Sequence, residues 1–176
     1  MRDLRQLFLD SVEAIHPTNL VRDWLHSHSS SQSFGRVVAL GKAACPMARA
    51  AYSLVRGSGL VISPYPRTGD ELEGWEFIQS SHPYLKKGSF VAGERLLEFV
   101  SVGQGDLLFL ISGGASALVE VLPPGVQADD AMAAWSQLYA AGMAIDEMNR
   151  VRASRSLIKG GKLLGYCNAP SYSLVL

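Results

Sequence analysis

Five short runs punctuate this chain: "RVVAL" at 36–40, "GLVIS" at 59–63, "WEFIQS" at 75–80, "DLLFLIS" at 106–112 and "YSLVL" at 172–176. Between them lie longer segments whose apolar residues recur at helical spacing. The runs are close to uniformly apolar, the pattern of strands covered on both faces, and their alternation with helices predicts a parallel sheet. Leu4, Leu7, Phe8, Val12 and Ile15 form one helical stripe that His16-Pro17 closes, and a second short helix is predicted over 18–27. Ala44, Met47, Ala48, Ala51 and Val55 mark a helix directly after the first strand, its small residues permitting close packing. Ser89 is expected to cap a helix to about 100, with Val91, Leu96, Leu97 and Val100 as its apolar positions. Residues 128–157 read as two helices meeting near Gly142, and "KGGKLLGYC" as a short glycine-opened one. The expected fold is a three-layer, Rossmann-like α/β domain, a mainly parallel sheet flanked by helices. It spans 1–176, with a helical preface at 1–30 and a sheet-and-helix core at 35–176, separated by the polar "HSHSSSQS".

Charge narrows the partners. Sixteen basic and sixteen acidic side chains cancel, and no Lys/Arg block offers a footprint for nucleic acid or an anionic membrane. No run approaches the roughly 18 apolar residues of a membrane span. The charged amino-terminal helix lacks a signal-peptide core. Cys45 and Cys167 stand far apart without metal-ligand spacing, so no metal site is assigned from the side chains; both read as small buried hydrophobes in a reducing, cytoplasmic setting. A small anionic ligand is the expectation left.

Three segments carry chemistry. In "ISGGASAL", Gly113 and Gly114 follow a buried strand, where their N–H groups and a helix start can nest an anion and Ser112 and Ser116 add hydroxyls. A packing turn is the plain alternative. A nucleophile elbow at Ser116 with His82 as base is disfavoured, because Leu118 stands where that motif needs glycine. In "ALGKAACPMA", Lys42 follows Gly41 at the start of a helix, against the macrodipole, which suggests pairing with an anion rather than simple solvation. In "MNRVRASRSLIKGGKL", Asn149, Arg152 and Ser156 fall on one helical face with Lys159 following, a clamp for an anion or else a solvated basic face. "GSFVAGER" is no Walker loop, since Glu94-Arg95 replaces Lys-Ser/Thr, and a dinucleotide GxGxxG is absent.

Together, "GKAACPMARAA", "SSHPYLKKGSFVAGERLL", "LFLISGGASALVEVLPPG" and "MNRVRASRSLIKGGKL" resemble, in order and spacing, the amino-terminal domain of the glycerate 2-kinase family with its MOFRL domain. Some members of that family are also labelled hydroxypyruvate reductases. The resemblance covers nearly the whole chain. It implies ATP-dependent phosphorylation of glycerate to 2-phosphoglycerate, with ATP and Mg2+ as cofactors and a glycerate-like anion as substrate. By that resemblance Lys42 stabilises the transferred phosphoryl group. Gly41, Ser112, Gly113, Gly114 and Ser116 bind phosphate or substrate, and Asn149, Arg152 and Lys159 complete the anionic pocket. His82 and Ser89 remain further candidates.

Two departures bear on substrate choice. The family commonly reads HPxPD where this chain has Leu85 and Lys86 after Tyr84, and Lys-His-Leu where it has Ala153-Ser154-Arg155. The family also continues past the last strand into an acidic SDVxGD-type loop and a carboxyl-terminal domain. The chain is therefore expected to be truncated relative to the family, a fragment or one half of a split enzyme, with a carboxyl-terminal partner chain or a homo-oligomer completing it. The alternatives are a non-catalytic anion-binding or regulatory module and, more weakly, a hydroxypyruvate reductase.

Overall fold

The computed structural model describes residues 3–28, 33–67, 69 and 72–176; residues 29–32, half of the polar stretch HSHSSSQS, lie outside them. The three central strands alternate their side chains between two apolar layers. Val37 and Ala39, Val61, and Leu108 and Leu110 enter one core, while Val38 and Leu40, Leu60 and Ile62, and Leu107 and Phe109 enter the other. A strand with both faces buried needs no polar alternation, and hence the uniform runs in the sequence.

The strands are β1 (Phe34–Leu40), β2 (Ser58–Ser63), β3 (Glu76–Gln79), β4 (Asp106–Ile111) and β5 (Ser171–Val175). They form one sheet in the order β3-β2-β1-β4-β5, and every pairing is parallel. The chain thus winds outward from β1 to one side and returns through β4 to the other. The reversal between β1 and β4 is the topological switch point, where open parallel sheets leave a crevice outside their carboxyl ends.

Helices α1 (Leu4–Ala14), α2 (Pro17–His28) and α3 (Ala44–Tyr52) precede or follow β1. Val21 and Leu25 of α2 and Ala44, Met47, Ala48 and Ala51 of α3 cover the first face, with four alanines on α3 allowing close approach. On the second face, α4 (Lys87–Ser101) buries Ser89, Ala92, Gly93, Leu96, Phe99 and Val100. Leu118 of the short α5 (Ala115–Leu118) and Ile158 complete that layer. Helices α6 (Ala128–Ala140) and α7 (Ile145–Ser154) and a 3-10 turn at Lys162–Tyr166 precede β5. Among the described residues no helix is long and apolar enough to cross a membrane.

Several local expectations are corrected. Ser89 lies in the first turn of α4, which begins at Lys87, and Val91 points outward at 62% exposure; the buried stripe instead runs through Ser89 and Gly93, whose small side chains admit the neighbouring backbone. Cys45 and Cys167 are only part-buried, at the margins of the two cores. Helix α7 ends at Ser154, so Ser156 leaves the face of Asn149 and Arg152 and turns its hydroxyl onto the amides of Ile158 and Lys159, at 3.2 Å each. The stripe of α1 forms as expected but buries nothing: Leu4, Phe8, Val12 and Ile15 all face solvent.

Candidate functional site

The loops leaving β1 and β4 meet at the switch point and are stitched together there. The Lys42 amide donates to the Gly113 carbonyl at 2.9 Å, and the Ala43 amide to Ser112 Oγ at 2.9 Å. Gly41 sits between them with φ +127°, so close that an added Cβ would lie 2.3 Å from Ser112 Oγ and 2.4 Å from the Ser112 carbonyl oxygen. Gly41 and the buried Ser112 are thus the seam of the crevice, and the serine hydroxyl is occupied by that seam.

Beyond the seam the turn opens. Gly114 adopts φ +90°, and a Cβ there would meet His82 Cδ2 at 2.9 Å, Nε2 at 3.0 Å and Lys42 Cγ at 3.3 Å. Lys42, His82 and the glycine turn therefore share one spot. Gly113 is exposed with nothing near its Cβ position. Among the described residues the amides of Gly113, Gly114 and Ser116 and the Ser116 hydroxyl have no protein acceptor, and Lys42 has no acidic partner. An exposed ammonium beside unbonded amides is a receptor for an anion.

His82 feels that ammonium. Burial first, and the Lys42 charge second, hold its imidazole below the ordinary 6.5. Neutral imidazole is the resulting form at neutral pH. Lys42→Ala is expected to raise the pH at which His82 titrates, followed through its ring proton shifts by NMR; an unmoved midpoint would show the two side chains to be uncoupled.

Asn149, Arg152 and Lys159 lie on the other flank of α5, along a mostly apolar cleft of about 630 Å³ floored by Leu40 and Ile111, with Ser116 at its rim. Asn149 is exposed there. Arg152 is buried, stacks its guanidinium 5.9 Å from the Trp135 ring centre and donates to the Ser116 carbonyl at 2.9 Å. Lys159 donates to the same carbonyl at 2.9 Å and to that of Val119 at 2.7 Å, and pairs with Glu120 at 3.4 Å. Burial pushes the Lys159 amine down to about 8, with Glu120 pulling the other way and Arg152 adding to the fall. Ser89 is fully buried, accepting from the Lys86 amide and from the Glu120 amide, so it braces the segment behind the turn.

Sequence reasoning passed over Glu120. Its signal was an acid inside the apolar "ALVEVL", a place where a carboxylate is costly without a partner. The structure buries it completely.

These features define an open parallel α/β domain with a crevice at its switch point, where the exposed Lys42 ammonium stands beside backbone amides that have no protein acceptor among the described residues. The chain belongs to the family described as "Domain of unknown function (DUF4147)", matched over residues 3–176, the amino-terminal domain of glycerate 2-kinases. It is 32% identical over 157 residues to the D-glycerate 2-kinase of Thermotoga maritima, covering 86% of this chain and 37% of that protein. A protein of Agrobacterium vitis named as a hydroxypyruvate reductase is 36% identical over 168 residues, covering 91% and 37% respectively. The crystal structure of the glycerate kinase from Thermotoga maritima superposes with a TM-score of 0.87 at 31% identity, covering 97% of this chain and 42% of that one. The chain thus spans about two fifths of the length of these relatives.

Proposed function

We propose that this domain supplies the phosphate-receiving side of an ATP-dependent glycerate 2-kinase. One observation carries the reading: Lys42, without a counter-ion among the described residues, packs against a turn whose amides have no protein acceptor among them, at the switch point of a sheet shared with the glycerate kinases. Phosphoryl transfer depends on positioning and on neutralising charge on the phosphoryl oxygens, and an ammonium with fixed N–H donors is suited to both. ATP, when bound, would provide the transferable γ-phosphoryl group. Lys42 and the amides of Gly113, Gly114 and Ser116 would hold its oxygens. As the 2-hydroxyl of glycerate forms the new P–O bond and the bond to ADP breaks, neutral His82 would take the hydroxyl proton. Asn149 and the apolar cleft would seat the remainder of a bound molecule.

Among the described residues no three His, Cys, Asp or Glu side chains gather to hold a metal ion, and no step here runs through one. The proposal includes a cytoplasmic location and a carboxyl-terminal partner chain or homo-oligomer that completes the site, as the greater length of the relatives suggests.

Calorimetric titration of the 176-residue chain with inorganic phosphate and with ATP tests the reading, alongside an assay of 2-phosphoglycerate formation from glycerate and ATP. Lys42→Ala is expected to weaken phosphate about tenfold to a hundredfold, the size of one charge-assisted hydrogen bond or slightly more. Unchanged affinity would remove the proposed site. Anion binding without 2-phosphoglycerate, even when the complementary part of a relative is added, would favour a non-catalytic binding module. Because two relatives bear a reductase name, hydroxypyruvate with NADH belongs in the same assay; consumption of NADH would replace the kinase reading.

A further inference from the structure

The Glu120 carboxylate is a charge that the proposed chemistry does not use, fully buried in a segment otherwise apolar. Burying a carboxylate costs several kcal/mol unless a partner and hydrogen bonds offset it. Its surroundings supply both, and each leads toward the anion turn. One oxygen accepts from the Val121 amide at 3.1 Å; the other faces the Lys159 ammonium at 3.4 Å and has no hydrogen-bond donor of its own. Lys159 in turn reaches the Ser116 carbonyl. The backbone of Glu120 is itself fixed from behind: its amide donates to the Ser89 carbonyl, and Gly93 of α4 presses so near that a Cβ there would lie 2.1 Å from the Glu120 carbonyl oxygen.

Resting on the reading above, we infer that Glu120 is a positioning residue for the anion turn, acting through Lys159 on the Ser116 carbonyl. The carbonyl and the amide of residue 116 belong to one short α5, and a fixed carbonyl fixes the direction in which the neighbouring amides point. Two cations on one carbonyl is an arrangement that stays put only if both remain charged. Lys159 is the weaker partner, because burial favours its neutral form, and the Glu120 carboxylate opposes that loss. The other charged group acting on the amine is Arg152, which opposes its protonation; Asp146 and Arg150 line the same cleft.

The test uses the 176-residue chain and inorganic phosphate. Glu120→Gln is expected to weaken phosphate on the order of tenfold, Glu120→Asp less, and Lys159→Met about as much as Glu120→Gln. The double variant Glu120→Gln/Lys159→Met removes both charges together, so that neither is left buried without its partner. It is expected to bind phosphate as weakly as either single variant, since all three break one path. A double variant that regains wild-type affinity along with stability would overturn the inference, because a merely structural pair predicts that recovery. So would single variants whose losses add. Affinity lost in Lys42→Ala but kept in Glu120→Gln would overturn this inference alone, whereas a wild-type chain that binds no phosphate would overturn both this and the kinase reading.

Discussion

Arg36→Met is expected to lower the melting temperature by about 6–12 °C, the equivalent of about 3 kcal/mol in a chain of this size. Arg36 lies near the start of β1, at the end of the sheet opposite the crevice, and is only 2% exposed. Its guanidinium donates to the carbonyls of Phe99, Val100, Val102 and Gly105 and to Asn168 Oδ1. Helix α4 has no basic residue in its own last turn, so Arg36 provides the cation at its negative end from another element. Methionine would fill the space but leave those carbonyls without a donor, at about 1–3 kcal/mol for each one that water fails to reach. Arg36 faces no carboxylate within that set, so relief of its own desolvation works in the opposite direction. Several acceptors against one cation decide the sign. Arg36→Lys keeps the charge and loses the fork, and should fall between. Thermal denaturation that left Arg36→Met as stable as wild type would reverse this accounting.

The second large effect is expected at Gly41. Gly41→Ala combines a left-handed φ of +127° with a Cβ driven into the Ser112 carbonyl and hydroxyl. The strained backbone costs about 1–3 kcal/mol and the overpacking a similar amount, for a total of about 3–5 kcal/mol. The seam must open to admit the methyl group, and the Lys42–Gly113 and Ala43–Ser112 bonds go with it. Phosphate binding should then fail together with stability. Gly113→Ala is the contrast, as nothing lies within 4 Å of its Cβ position and its φ is not left-handed; it should change stability by less than about 0.5 kcal/mol. Urea unfolding of the two variants separates them, and equal losses would contradict the geometry described.

In the sequence these two glycines look alike, each ending or following a strand. What distinguishes them is the loop that faces them, and that loop is some 70 residues away, as the 69-residue separation of Ala43 from Ser112 illustrates. The same limit explains which parts of the fold were legible. Strands buried on both faces announce themselves through local composition, and the α3 stripe through its spacing. Arg36 and Glu120 did not, because the acceptors and cations that make their burial tolerable lie 63 to 132 residues away for the first and 39 for the second, from Glu120 to Lys159. Lys42 and the Gly113-Gly114 turn were legible as features at the carboxyl ends of two strands, ends that a parallel sheet brings to one edge. That Ser112 is consumed by the seam, and that Lys159 spends its donors on carbonyls, depended on distances no spacing rule supplies.

The seam between the two crossover loops also bears on how a ligand would be received. Lys42 and the glycine turn are already tied to each other through backbone hydrogen bonds, so little conformational freedom remains to be surrendered on association. Such a preorganised receptor should take up its anion without a slow rearrangement step, and the entropy lost should come chiefly from the guest rather than from the host.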